Sequence, residues 1–476
     1  MRRWLRWLPP SLLALGGLAG GITAWQLEAA VPTASRAEAV ARHAVTPVLS
    51  VRRAPTVVAA PIAERRLSAD LTDLAATLPP DSCLAVEGPE DLQFGHRADA
   101  SMVPASTAKI LTATAALVAF GPDARFRTTV VAPAPPLEGG LAGDLTLVGG
   151  GDPILASPDY AARFLRQPQI VTDLDGLAAD IQEAGVQRVD GAIVGDESRY
   201  DQTRYVNGWP ERYISQNQIG PLSGLAVNDG FERYPQLGGG GDPLVAAADP
   251  AANAAAVLTR LLEARGVEVV GEPRSGIAPA GAVEVAAVES PPLVDVVGQL
   301  LQESDNNTGE LLLKELGRGG GDPTTPGGAA AAQAQLTEDG VDMSGSVVAD
   351  GSGLSLDGRV TCDLLVDLLS RPGTGPLLQD RLAVAGQSGT LTDRYVDTPL
   401  AGTLRAKTGS LNTVSSLAGL VADEDPALLF ALVVNVPAPD RVPDSAVAAQ
   451  QRLGEILLSW PRVPDVAALG PLTQDG

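Results

Sequence analysis

Lysine occurs at only three positions in this chain, 109, 314 and 407, and arginine carries nearly all the remaining positive charge. Two of the three lie in short motifs, Ser106-Thr107-Ala108-Lys109 and Lys407-Thr408-Gly409. Where either cation would serve, the chain uses arginine, so a lysine that remains is a candidate for a task that arginine cannot perform. Arginine keeps its proton (pKa about 12.5 or higher), whereas a buried lysine can lose its proton and act as a base. Ser106 and Lys109 are spaced i, i+3, which places both side chains on one face of a helix. In the first turn Ser106 would lie near the positive end of the helix dipole, and burial with that dipole favours a neutral Lys109 able to take the hydroxyl proton. A hydroxyl beside such a base is an arrangement for covalent catalysis.

Bulk properties narrow the alternatives. At 476 residues the chain exceeds one typical domain and can bury a large core. A formal charge of −23, with no basic stretch beyond the N-terminal region, argues against nucleic acid as a partner. His43 and His96 are the only histidines, and His43 falls in a linker-like stretch, which disfavours a Ser-His-Asp triad or a histidine metal site. Neither a metal nor an organic cofactor is indicated. Cys83 and Cys362 are too far apart for a CxxC redox or zinc pattern.

The N-terminus reads as an export segment. Arg2, Arg3 and Arg6 precede an uncharged run from Trp7 to Leu27, so residues 1–29 are expected to form a signal peptide or an uncleaved signal-anchor. Export would put the two cysteines in an oxidising compartment, where a disulfide and two buried free thiols are both open. Residues 30–66 read as a Pro/Ala-rich linker, and folded structure is expected from about Leu67. Within 67–124 a strand is expected at Cys83–Glu87 and an apolar helix from Lys109 to Phe120, stopped by Gly121-Pro122. Residues 125–291 change to short strands and Gly/Pro/Asp turns, with helices such as Ala251 to Arg265. From 292 to 461 a helical pattern leads into Ser304. Strands then follow at Thr403–Ala406, Val414–Val421 and Leu428–Val436, and residues 462–476 read as a tail. Gly-Gly-Asp-Pro recurs at 150–153, 240–243 and 320–323, but the flanks differ, and the stretches read as turns. Lys314 is expected on an exposed helix face.

Two further motifs bear on chemistry. In Ser304-Asp305-Asn306 a hydroxyl and a carboxamide two residues apart can face one cleft, the first relaying a proton and the second holding a substrate backbone. The same three residue types also make ordinary helix caps. In Lys407-Thr408-Gly409-Ser410, on a predicted strand, Lys407 supplies positive charge, Thr408 and Ser410 offer hydroxyls to a carboxylate, and Gly409 lets a ligand backbone approach. An exposed strand end followed by a turn reads the same way.

Taken in order, S-x-x-K, S-D-N and K-T-G resemble the motif set of penicillin-recognising serine enzymes. With Leu147-Val148-Gly149-Gly150-Gly151-Asp152-Pro153, Gly208-Trp209, Leu222-Ser223-Gly224-Leu225, Asp350-Gly351-Ser352-Gly353 and Gly389-Thr390-Leu391, the chain resembles the D-alanyl-D-alanine carboxypeptidase/endopeptidase family of low-molecular-mass penicillin-binding proteins. The resemblance is to the type with a large inserted region and runs from about residue 67 to about 460. It implies an α+β fold: a transpeptidase/β-lactamase-like domain, with a five-stranded antiparallel sheet flanked by helices, interrupted by a strand-rich insertion of one or two small domains. It also implies an exported serine-type carboxypeptidase, secreted or anchored at the membrane, that trims peptidoglycan stem peptides and is covalently inhibited by β-lactams. Ser106 would be the nucleophile and Lys109 the general base. Ser304 would relay a proton, tuned by Lys407, and Asn306 would hold the substrate amide. Thr408 and Ser410, beside Gly409, would bind the terminal carboxylate. Asp152 would approach the amino end of a diamino acid, with a plain turn as the alternative, and Asp350 and Ser352 could line the cleft. Two rivals stand beside this reading: a long β-lactamase, which would turn the drug over rapidly, and a non-catalytic wall scaffold, which would never be acylated.

Overall fold

The computed structural model describes residues 55–461, apart from 90–91, 165, 167–168, 236–242 and 423–426. The expected export segment, the first part of the linker, the tail and most of the second Gly-Gly-Asp-Pro stretch lie outside the described residues. Among the described residues no helix is long and apolar enough to cross a membrane.

The residues on either side of 127–289, which carry the S-x-x-K, S-D-N and K-T-G motifs, are organised on one antiparallel sheet. Its strand order is Ala383–Val384, Leu404–Leu411, Val414–Val421, Leu428–Asn435, Ser82–Glu87, Gln93–His96. That makes six strands where five were expected. The outermost pieces, two and four residues long, are too short to display a periodicity. Successive residues of a strand point to opposite faces, and here both faces are apolar. On one face Cys83, Ala85, Ala418, Ala431 and Val433 pack with Ile110, Val297, Leu300 and Leu365 from three helices. On the other, Leu84, Val86, Leu417, Phe430 and Leu432 pack with Leu67, Leu71 and Leu453. Leu71 and Leu84 are fully buried, so truncating either to alanine should cost about 2–5 kcal/mol.

The helix that carries Leu71 spans Pro55–Ala75 and therefore begins inside the expected linker. Proline suits a first helical turn, and Leu67, Leu71 and Leu74, at i, i+4 and i+7, form the stripe that docks on the sheet. Cys83 and Cys362 are joined in a disulfide, which ties strand Ser82–Glu87 to the helix Cys362–Ser370.

Residues 127–289 build a second arrangement with its own core. The strand entering it, Arg127–Ala132, lies antiparallel to the strand leaving it, Val283–Glu289, with Arg127 opposite Glu289. These two join Leu145–Val148, Ile193–Asp196 and Arg274–Ser275 in a mixed five-stranded sheet. Helices Leu174–Glu183 and Pro250–Ala264, each capped by an aspartate side chain (Asp173, Asp249), cover it. Leu145, Leu147, Ile193, Leu177, Ile181 and Leu258 form that core. Its attachment is reinforced at helix Asn306–Gly319, which is buried from Asn307 to Gly317. Lys314, expected on an exposed face, is only 1% exposed and is ion-paired with Asp201. Glu315 on the same helix accepts from Arg199 and Tyr200. The partners that permit this burial are remote in sequence.

Candidate active site

The nucleophile turn is built first. Pro104 precedes a 3-10 turn, Ala105–Ala108, that runs into helix Lys109–Phe120. Ala105 sits at φ +49, a left-handed conformation that costs a non-glycine residue about 1–3 kcal/mol. The surroundings hold it: the Pro104 carbonyl accepts from Thr107 Oγ1 and Ser416 Oγ, each at 2.7 Å. Gly409 crosses this turn so closely that a Cβ there would lie 2.2 Å from Ser416 Oγ and 3.0 Å from the Ser106 amide nitrogen. Glycine is needed here for the approach of strand to turn, whatever ligand binds.

Lys109 is the centre of the arrangement and is fully buried. Its Nζ lies 3.0 Å from Ser106 Oγ, 2.7 Å from Asn306 Oδ1 and 2.5 Å from the Ser352 carbonyl. Burial lowers its pKa to about 8, against the opposing pull of Asp305, Asp350 and Glu310. Lys407 is likewise buried and donates to the Thr408 carbonyl at 2.8 Å. Burial first, and then the charge of Lys109, hold it well below the ordinary lysine range.

Ser304-Asp305-Asn306 proves to be a cap and a site part at once. Ser304 ends helix Leu293–Glu303 in the left-handed conformation, and Asp305 caps helix Asn306–Gly319 by accepting from the amides of Asn307 and Thr308. The turn between the helices presents Ser304 and Asn306 to the cavity. Asn306 bridges two regions, accepting from Lys109 and donating through Nδ2 to the Gln218 carbonyl at 2.6 Å.

These residues border a cavity of about 1060 Å³, lined by Ser106, Ser304, Asn306, Thr408 and Ser410 on one side and by Tyr160, Arg163, Arg212 and Asp229 on the other. Thr408 Oγ1 bonds Thr390 Oγ1 at 2.9 Å. The short neighbour Ala383–Val384 pairs only with Ala406 and Arg405, so the strand edge from Lys407 onward has no strand partner on the side of Ala383–Val384. Asp229 accepts from the Tyr160 hydroxyl at 2.5 Å, and burial with the charge of Asp305 pushes its carboxyl up to about 7.

Asp152 does not join this group. It is buried behind Pro153 and Ile154, which do line the cavity, and its Oδ1 accepts from the Ile154 amide at 3.0 Å. Nor is its Gly-Gly-Asp-Pro stretch a simple turn: a Cβ on Gly149, Gly150 or Gly151 would lie 2.2 Å from, respectively, the Gly224 carbonyl, the Arg127 carbonyl and the Tyr200 hydroxyl. Asp350 and Ser352 lie beneath the site instead of lining it. Asp350 accepts from the amides of Gly353 and Ser355 and from Trp209 Nε1, while the Ser352 carbonyl supports Lys109.

The sequence alone gives no signal of a role for Gln218 or Asp229, and Thr390 falls within the Gly389-Thr390-Leu391 stretch without a role being assigned to it. Glu310 had one available signal, a lone acid one turn beyond Asn306 that opens the run Leu311-Leu312-Leu313.

Comparison with known proteins bears on the same residues. The D-Ala-D-Ala carboxypeptidase 3 (S13) family matches residues 90–235 and 235–453. The chain belongs to this family. A D-alanyl-D-alanine carboxypeptidase of Actinomadura sp. (strain R39) is 31% identical over 422 residues, covering 72% of this chain and 76% of the relative. Carboxypeptidase DacB of Mycolicibacterium smegmatis is 33% identical over 418 residues, covering 84% and 86%. The crystal structure of penicillin binding protein 4 of Haemophilus influenzae superposes with a TM-score of 0.66 at 21% identity, over 80% of this chain and 97% of that one, which shows a shared fold. As an S13 enzyme, this chain is a serine-type D-Ala-D-Ala carboxypeptidase.

Proposed function

We propose that Ser106 Oγ attacks the carbonyl joining the two terminal D-alanines of a peptidoglycan stem peptide while Lys109 takes its proton. The observation that carries this is the 3.0 Å contact between Lys109 Nζ and Ser106 Oγ at a lysine whose burial favours the neutral form. The tetrahedral oxyanion rests on the amides of Ser106 and Ser410, each such donor being worth about 3–4 kcal/mol in acyl transfer. On collapse the C–N bond breaks, Ser304 passes a proton to the departing D-alanine amine under the field of Lys407, and water then hydrolyses the Ser106 ester. Thr408 and Ser410 hydroxyls hold the terminal carboxylate. Asn306, with one N–H committed to Gln218, keeps the other for a substrate carbonyl. The unpaired strand edge from Lys407 suits an extended peptide. A cavity of about 1060 Å³ has room for more of the stem than the final dipeptide, which supports endopeptidase action as a second activity.

β-Lactams present a strained amide to the same serine and leave an acyl adduct. The beta-lactam complex of the Haemophilus influenzae protein supports this reading. The substrate and the Cys83–Cys362 disulfide favour work outside the cytoplasm, with residues 1–29 as signal peptide or anchor. The test is intact-mass spectrometry after benzylpenicillin, beside Ser106→Ala, with D-alanine release from stem peptides as the second readout. A lasting adduct on wild type alone, with D-alanine release, is expected. Rapid drug hydrolysis without an adduct would favour a β-lactamase, and neither adduct nor hydrolysis a scaffold.

A further inference from the structure

Behind Lys109 lies a second layer of polar groups for which the reaction above has no use. The loop Asp350-Gly351-Ser352-Gly353-Leu354-Ser355 passes under the lysine and offers it the Ser352 carbonyl. Two carboxyl groups hold that loop by its amides. Asp350 accepts from Gly353 and Ser355, and Glu310 Oε1 accepts from Gly351 at 3.0 Å and from Ser352 at 2.8 Å. Thr112, one turn beyond Lys109, binds the Gly351 carbonyl from the other side at 2.9 Å. Glu310 is fully buried, and its Oε2 has no hydrogen-bond partner. An acid this enclosed is costly to keep unless it is neutral or does work on its neighbours. Gln or Met would fill the space at less expense.

We propose that Glu310 is a positioning residue for the catalytic base: by accepting from the amides of Gly351 and Ser352 it fixes, together with Asp350 on the Gly353 amide, the residue whose carbonyl Lys109 rests on, and its own proton governs how readily Lys109 gives one up. The groups facing Lys109 are Asp305 at the start of helix Asn306–Gly319, Asp350 on the loop, Glu310, and Lys407 on the neighbouring strand. Those facing Glu310 are Asp350 and Lys109. Burial and the Asp350 charge raise the Glu310 carboxyl to about 8, the same region in which Lys109 titrates. An ionised Glu310 favours the charged form of Lys109, so the proton on one bears on the proton of the other. A proton lost from Glu310 leaves a carboxylate that holds the ammonium of Lys109, whereas a proton lost from Lys109 leaves the base ready.

The proposal rests on Lys109 being the base, and the experiment separates the two. Acylation of the full chain by benzylpenicillin is followed by intact mass from about pH 6 to about pH 10 in wild type, Glu310→Gln, Glu310→Ala and Lys109→Arg. Glutamine can still accept from both amides but cannot ionise. It should hold the neutral-pH rate within about threefold and move the rising limb down by about half a pH unit or more. Alanine orphans two amides and should slow acylation about 10- to 100-fold at every pH. If the limb of Glu310→Gln coincides with that of wild type, Glu310 is only structural and the proposal fails. If Glu310→Ala does not fold, the position of the glutamine limb still decides. Near-normal acylation of Lys109→Arg would instead overturn the role of Lys109, whatever Glu310 does.

Discussion

The two walls of the cavity are made of different chemistry. The wall from the catalytic half holds Ser106, Ser304, Asn306, Thr408 and Ser410, backed by two buried lysines and a loop tied down by carboxylates. Many of its polar side chains already have a protein partner within hydrogen-bonding distance. The wall from residues 127–289 is aromatic and charged, with Tyr160, Arg163, Arg212 and Asp229, and Arg163 stacks 4.4 Å over the Tyr160 ring. Asp229 is left with a carboxyl that its setting makes hard to ionise. The first wall is preorganised for a reaction. The second is built of aromatic and charged groups bonded to one another, with the Arg163 guanidinium and the Asp229 carboxyl both meeting the Tyr160 hydroxyl.

The sharpest break of that contrast comes at the first wall. Lys109→Arg keeps the charge but removes the base, and acylation by benzylpenicillin should fall about 10³-fold or more; labelling close to wild type would erase the division. In the unaltered enzyme the acylation rate should rise with pH through about 8, because neutral Lys109 is the competent form and its pKa is lowered to that value. A rate flat across that region would count against it. A middle-sized effect is expected on the second wall, where Asp229→Asn should lower D-alanine release from stem peptides about 10-fold and leave penicillin acylation within about twofold. Equal losses in both assays would make Asp229 part of the reaction machinery.

A further expectation concerns stability alone. The buried carboxyl of Asp152 titrates at about 6 in the fold against 3.8 when free. Its contribution is thus fully present below the free value and is lost as pH rises through about 6. Asp152→Asn should be more stable than wild type near neutrality by up to about 2–3 kcal/mol and equal to it in acid, as urea unfolding at two pH values would show.

What could be read from the chain and what could not divide along locality. Helix Lys109–Phe120 and the strands at Val414 and Leu428 carry their signal within a dozen residues, and the structure has them with ends shifted by little or nothing. The S-x-x-K, S-D-N and K-T-G motifs announce chemistry because the residue types are rare and their order is informative. Lys314 was misread because its partner Asp201 lies on another region, and nothing beside the lysine in the chain reports it. Asp152, open in the sequence between a substrate contact and a turn, lies buried in a stretch where Gly149 and Gly150 pass close to backbone carbonyls and Gly151 to the Tyr200 hydroxyl, all remote in the chain. Glu310 is legible only once Gly351 and Ser352 are seen against it.

The pairing of Arg127–Ala132 with Val283–Glu289 has a consequence for how the catalytic half assembles. Its sheet closes when strand Ser82–Glu87 meets Leu428–Asn435, two segments from opposite ends of the described chain. Joining distant segments carries an entropic penalty that grows with the logarithm of the intervening length, and contacts between remote parts slow a chain's search. Once residues 127–289 have formed their own core, however, Phe126 and Ser290 are already hydrogen-bonded neighbours, at 2.9 Å. The polymer that still has to be organised then passes from one to the other as if around a hairpin. To the unfinished catalytic half, a folded region of that size has the contour length of a turn.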